Sequence, residues 1–314
     1  MSESPKNGLL VMHYGTPASI EAIEPYYTHI RRGRAPSREQ LKKLTGRYIA
    51  IGGPSPLTRI SQAQAELINV GLREAGVEAK AYIGTKHSSP FVADAVKQMA
   101  DDGVEEAVGV VLAPHYSGMS IRAYEKYAND ARSEHAPNMK LNVVQRWGTM
   151  PELIAALADR VEQQTKGWSP EETIVLFTAH SLPQSIVADG DPYQDELEET
   201  SRLVAEEGSV PNWSFCFQSA SATGARWLGP DVLDVMQDVR DEGRFSKVIA
   251  CTVGFVSDHL EVLYDLGIEA QEKADELGLE YRRAEAINED ATVMAALGRL
   301  VAAQFSAQVL AGGI

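Results

Sequence analysis

The sequence predicts an α/β protein built from βαβ units on mostly parallel sheet, in two related halves. Three observations predict it. Short runs of β-branched and apolar residues alternate with longer amphipathic stretches, the signature of strand–helix–strand units. Five of those runs end on polar side chains able to bind a ligand. Two of them open alike, as GLLVMHYGTP and TIVLFTAHSLP.

Taken in order, GLLVMHYG from Gly8 is the first strand and EAKAYIGTKH, ending on His87, the second. PFVADAVKQMADDG then reads as a helix that starts beside a proline and closes on Gly103. EEAVGVVLAPHYSG is a third strand, followed by the helical pattern SIRAYEKYANDARSEH. ETIVLFTAHSLP and SKVIACTVGFVSDH are strands of the second half. After the latter, LEVLYDLGIEAQEKADELG has helical spacing and again ends on glycine. Gly, Pro and charge in TKGWSPEE, residues 165–172, mark a seam between domains 1–165 and 166–314, with the C-terminal helix free to pack back on the first.

Composition bounds the function. The chain has 314 residues, 44% of them apolar and 23% charged, enough for a large core or two moderate ones. The N-terminus lacks the basic and apolar regions of a secretory signal, and no apolar run is long enough to span a bilayer, so a cytoplasmic protein is expected. Cys216 and Cys251 are too few for a disulfide framework and read as core residues. A net charge of −15 argues against a nucleic-acid partner. Yet Arg31 to Arg47 holds seven Lys or Arg and one acid, Glu39. This island is either a solvated helix face or a clamp for a small polyanion, since arginine suits bidentate carboxylate or phosphate recognition.

The five strand ends carry His13–Tyr14, His87, His115–Tyr116, His180 and Asp258–His259. Open α/β sheets place their sites beyond the carboxyl ends of the strands, so these residues are expected to share a cleft. No dinucleotide, P-loop, metalloprotease or nucleophile-elbow motif is present. Glu261, Asp265 and Glu269 recur every fourth residue, which on a helix stacks three carboxylates on one face. They form either a solvated acidic face or a ladder that passes a cation toward a histidine; imidazole with carboxylate suits Fe(II) and other first-row divalent ions.

Together TAHSLP, VGFVSDHLEVLYD, GLLVMHYGTP, HIRRGR and RYIAIGGPSPL resemble the ferrochelatase family, in the form of Gram-positive bacteria that acts on coproporphyrin III. The resemblance implies two Rossmann-like, doubly wound parallel-sheet domains with a porphyrin cleft between them, and a clamp segment at about residues 20–60. It implies insertion of Fe(II) into coproporphyrin III within haem biosynthesis. The alternatives are a protoporphyrin IX ferrochelatase, a cobalt or nickel chelatase of the same fold, and a non-catalytic tetrapyrrole or haem carrier.

Residue by residue, the resemblance makes His180 and Glu261 the pair that handles metal and pyrrole protons. It makes Tyr14 the axial ligand of the product iron, with His13 a second candidate beside it. Arg31, Arg47, Tyr48, Ser55 and Tyr124 match contacts to the tetrapyrrole and its propionates, and His87 matches a further cleft histidine. Asp265 and Glu269 match an outer carboxylate site suited to Mg(II). No cofactor is expected to stay bound, Fe(II) being a substrate, and two cysteines cannot hold a [2Fe–2S] cluster. The resemblance also implies a monomer in transient contact with the next haem-pathway enzyme or an iron donor. His29 and His135 read as surface or helix-end residues, the four tryptophans as packing residues, and His115 as either structural or cleft-lining.

Overall fold

The computed structural model describes residues 6–220 and 225–306, which fall into two compact units. Among the described residues, unit 1 takes 6–113, 118–147 and 289–306; unit 2 takes 114–117, 148–220 and 225–288.

Unit 1 runs β1 (Asn7–His13), α1 (Ile23–Ile30), α2 (Arg38–Ala50), α3 (Leu57–Glu74), β2 (Lys80–Thr85), α4 (Val92–Asp101), β3 (Glu106–Val111), α5 (Ile121–His135) and β4 (Lys140–Val143). Its sheet is parallel throughout, in the order β2-β1-β3-β4. Unit 2 runs α6 (Pro151–Thr165), β5 (Thr173–His180), α7 (Ser185–Ala188), α8 (Tyr193–Glu207), β6 (Trp213–Gln218), α9 (Val232–Glu242) and β7 (Lys247–Thr252). A π-helical segment (Val262–Glu269) then leads into α10 (Ala270–Leu277) and β8 (Glu280–Arg283). This sheet is also parallel, in the equivalent order β6-β5-β7-β8. The likeness of the two strand openings thus reflects two sheets of one topology.

Both sheets reverse direction of winding beside their first strand, between β1 and β3 and between β5 and β7. Such switch points leave a crevice at the carboxyl ends. The central strands are covered on both faces, which is why they read as unbroken apolar runs. All of β5 is buried except its last residue, His180. Leu176, Cys216, Met236, Val248, Leu266 and Ala270 pack one face of the second sheet. Cys251 is equally buried; both thiols are free, and burial raises the pKa of each.

The chain then returns to unit 1 as α11 (Ala291–Ala302), which packs along α3. Contact is backbone to backbone: a Cβ on Gly71 would lie 2.0 Å from the Ala295 carbonyl oxygen, and one on Gly298 2.1 Å from that of Ile68. The seam therefore differs from the one read at residues 165–172. Helix α6 belongs to unit 2, and the last described helix completes unit 1. Among the described residues no helix is long and apolar enough to cross a membrane.

Candidate active site

His180 ends β5 at the switch point of the second sheet, and Glu261 and His259 follow β7 on the other side of it. Tyr193 Oη donates to the His180 carbonyl at 3.1 Å, and the His180 ring hydrogen-bonds through Nδ1 to the carbonyl of Ser181. A carbonyl only accepts, so Nδ1 carries the proton and Nε2 presents its lone pair. That Nε2 lies 3.6 Å from Glu261 Oε2. His259 repeats the arrangement: Nδ1 donates to the Ser257 carbonyl at 2.9 Å, and Nε2 stands 3.7 Å from the same Glu261 oxygen. One carboxylate oxygen is thus flanked by two imidazole nitrogens of the same tautomer. Burial alone would lower the His259 pKa. The nearby Glu261 carboxylate, the Ser257 carbonyl and Asp265 outweigh burial and raise it.

Aromatic rings wall the group. Phe255 stands 4.5 Å from the His259 ring and 6.2 Å from that of His180, and Trp227 lies 6.3 Å from His180. The loop is anchored at Asp258, which accepts from Arg283 and from Asn288 Nδ2, both at 2.9 Å. The Asp258 N–H donates to Asn288 Oδ1 at 2.7 Å. Burial raises the Tyr193 phenol pKa, and the neighbouring Glu261 charge adds to the rise.

The carboxylate ladder takes a different form from a straight α-helical row. Residues 262–269 are π-helical, with the Ala270 N–H donating to the Asp265 carbonyl five residues back, a geometry frequent at functional sites. Its three acids meet three environments. Glu261 sits between the histidines. Asp265 is 5% exposed and accepts from the Ser219 hydroxyl; Ser219 itself has φ +63°, unusual for serine. Glu269 is half-buried, and its charge helps burial to raise the Asp231 pKa. Two oxygen-bearing side chains one wide turn apart fit a hard cation such as Mg(II). Among the described residues, no three His, Cys, Asp or Glu side chains already converge at ligating distance.

The remaining candidates lie in unit 1. His13 is 5% exposed and accepts the Gly15 N–H at Nδ1, 3.2 Å. Tyr14, 42% exposed, lines a cavity of about 710 Å³ together with His87 and Lys86. Strand alternation thus turns His13 inward and Tyr14 outward. The Tyr14 and His87 rings are 4.5 Å apart. Lys86 Nζ lies 6.0 Å from the Tyr14 ring and 5.6 Å from that of Tyr124. Burial, Lys86 and His29 hold the His87 imidazole down to about 4. Tyr48, Ser55 and Tyr124 lie inside unit 1: Tyr48 Oη is 3.4 Å from Thr16 Oγ1, and Ser55 Oγ accepts the Leu57 N–H at 3.2 Å. Arg31 donates to the Arg34 carbonyl and faces the Tyr27 ring at 5.6 Å; Arg47 is half-buried near the end of α2. No ion pair among the described residues engages Arg31, Arg32, Arg34, Arg38, Lys42 or Lys43.

Sequence reasoning missed two partnerships. It named His259 only as a strand end, whereas Glu261 is shared between His180 and His259. His29 is exposed near the end of α1, as read, but the contact of its Nδ1 with His87 Nδ1 at 3.0 Å was missed. His115 is structural: buried, with Nε2 2.8 Å from Thr200 Oγ1. Trp147 and Trp168 pack as expected, against the Val111 carbonyl and Arg282, whereas Trp213 is exposed and meets the Phe177 ring at 5.8 Å.

The family model described as Ferrochelatase matches residues 6–305 of this chain. The chain belongs to the ferrochelatase family. It is 43% identical over 299 residues to a Bacillus cereus protein named coproporphyrin III ferrochelatase 2, covering 94% of this chain and 93% of that one. A Halalkalibacterium halodurans coproporphyrin III ferrochelatase is 46% identical over 286 residues, covering 90% and 92%. One from Listeria monocytogenes is 43% identical over 306 residues, covering 96% and 99%. Among solved structures, the cobalt complex of the sirohydrochlorin chelatase SirB from Bacillus subtilis superposes with TM-score 0.55 at 13% identity, covering 95% and 94%. That likeness places this ferrochelatase-family chain in the chelatase fold.

Proposed function

We propose that this chain inserts Fe(II) into coproporphyrin III, giving coprohaem and two protons, as a step of haem biosynthesis. The observation that carries the reading is the single Glu261 oxygen held 3.6 and 3.7 Å from the Nε2 atoms of His180 and His259. Insertion brings a divalent ion in and takes two pyrrole protons out. Imidazole and carboxylate donors suit Fe(II). The His180 lone pair accepts a proton, and the Glu261 carboxylate stabilises the imidazolium so formed. His259, whose proton affinity Glu261 already raises, is placed to take the second.

Four propionates give coproporphyrin a charge that matches the cation island of residues 31–47. Each well-formed arginine–carboxylate hydrogen bond contributes about 1.5–3 kcal/mol. The exposed Tyr14 phenol is the group we assign to the product iron. Asp265 and Glu269 are assigned to an outer Mg(II) site. We infer no other resident cofactor and no iron–sulfur cluster, the only two cysteines being buried core residues. The reading takes the enzyme as a cytoplasmic monomer that meets an iron donor or the next haem-pathway enzyme transiently.

The test is anaerobic Fe(II) insertion followed by absorbance, with coproporphyrin III and protoporphyrin IX in parallel. The expected result is a kcat/KM at least about tenfold higher for coproporphyrin, some 1.4 kcal/mol of transition-state preference. Preference for protoporphyrin would overturn the substrate assignment. Binding with no turnover above the uncatalysed rate would overturn the activity and leave a carrier.

A further inference from the structure

We propose that His29 and His87 form a two-imidazole site for a first-row divalent ion, built from unit 1 alone. Their Nδ1 atoms face each other at 3.0 Å on the wall of the 710 Å³ cavity. An ion bonded to both at about 2.0–2.1 Å would subtend roughly 95° between them. That is close to the right angle of tetragonal Cu(II) or Ni(II), and a small opening reaches the tetrahedral angle of Zn(II).

The pair is held from behind, which leaves the two ligating edges to meet. Phe91 stacks on the His29 ring at 5.0 Å with 30° between planes. Tyr14 flanks the His87 ring at 4.5 Å, and the His87 backbone N–H donates to the Tyr14 carbonyl at 3.0 Å. Without an ion, two such nitrogens can share one proton; an ion takes the place of that proton. The cavity leaves room for water to complete the coordination sphere, and Asp130 and Glu134 line it, offsetting the opposing charges of Lys86 and Arg32. The ligand class is therefore a borderline ion that prefers nitrogen, Cu(II) above Ni(II) and Zn(II), rather than a hard ion such as Mg(II).

The test uses the full chain carrying His180→Ala and Glu261→Gln, which dismantles the other imidazole–carboxylate group. Cu(II) and, separately, Zn(II) are titrated by calorimetry, and electron paramagnetic resonance of the Cu(II) form counts ligating imidazole nitrogens. One equivalent with two imidazole nitrogens is expected, weakened at least about tenfold when His29→Gln is added, and equally by His87→Gln. His29 is exposed, so its variant should keep the parent melting temperature. Absence of a bound ion in the parent would overturn the proposal. So would an ion whose affinity and nitrogen couplings survive His29→Gln.

Discussion

Replacing Gly254 by alanine should cripple the site without touching a reacting group. Gly254 follows β7 at the switch point, and its N–H donates to the Thr178 carbonyl at 3.2 Å. A Cβ there would lie 2.5 Å from Ala179 Cβ and 3.0 Å from Ala179 Cα. Ordinary contact begins at 3.4 Å, so the first of these is short by about 0.9 Å. Neither atom is the end of a flexible side chain, and the strain must be relieved by moving the end of β5. The next residue is His180, whose Nε2 has to stay 3.6 Å from Glu261. Overpacking of this kind costs about 1–3 kcal/mol of stability. A displacement near 1 Å at a reacting group costs about a hundredfold in rate. Gly254→Ala should therefore lower kcat for metal insertion by about a hundredfold while the Kd for coproporphyrin changes little. Activity within threefold of the parent, with an unchanged melting temperature, would refute the steric reasoning.

Other consequences can be checked as directly. Burial pushes the His115 imidazole down to about 3. Its unfolded form takes up a proton below about pH 6.5, so the stability it contributes is present above that pH and is lost as pH falls toward 3. Urea midpoints should show about 2–3 kcal/mol of extra loss between pH 6.5 and 4.5 relative to His115→Gln; parallel profiles would contradict this. Asp258→Ala should lower stability by roughly 1.5–3 kcal/mol by freeing Arg283 and Asn288, read as a fall in melting temperature. It should also reduce insertion by loosening His259, and an unperturbed kcat would remove that positioning role. Raising ionic strength from 0.05 to 0.5 M should raise KM for coproporphyrin with little change in kcat, because exposed cations are screened over about 10 Å or less at such salt. A salt-independent KM would argue against the cation island as the propionate clamp.

Much of the site was legible in the sequence because it sits where strand pattern and motif coincide. An apolar run that stops at His180, and a strand that stops before Glu261, already point to one sheet edge. Pairing of Glu261 with His259 was not legible, since it depends on a ring fixed by the Ser257 carbonyl, and the π-helical ladder that follows Glu261 was not legible either. Periodicity suggests a helix there without distinguishing its hydrogen-bond ladder. The His29–His87 contact joins residues 58 apart, which no local pattern reveals. Strands β4 and β8 escaped because four residues at a sheet edge carry too little alternation to read, and the edge strand β6 escaped as well. Placement of α11 in unit 1 rests on two glycines meeting another helix's backbone, a match visible only in three dimensions.

The most direct test of the account is turnover by Glu261→Gln, which keeps the shape of the side chain and removes the charge shared by His180 and His259. With coproporphyrin III and Fe(II), the account predicts a fall in kcat of about 10²–10⁴, the usual contribution of a positioned acid–base group, with porphyrin affinity preserved. Insertion within tenfold of the parent would contradict the claim that this carboxylate carries the metal and proton chemistry.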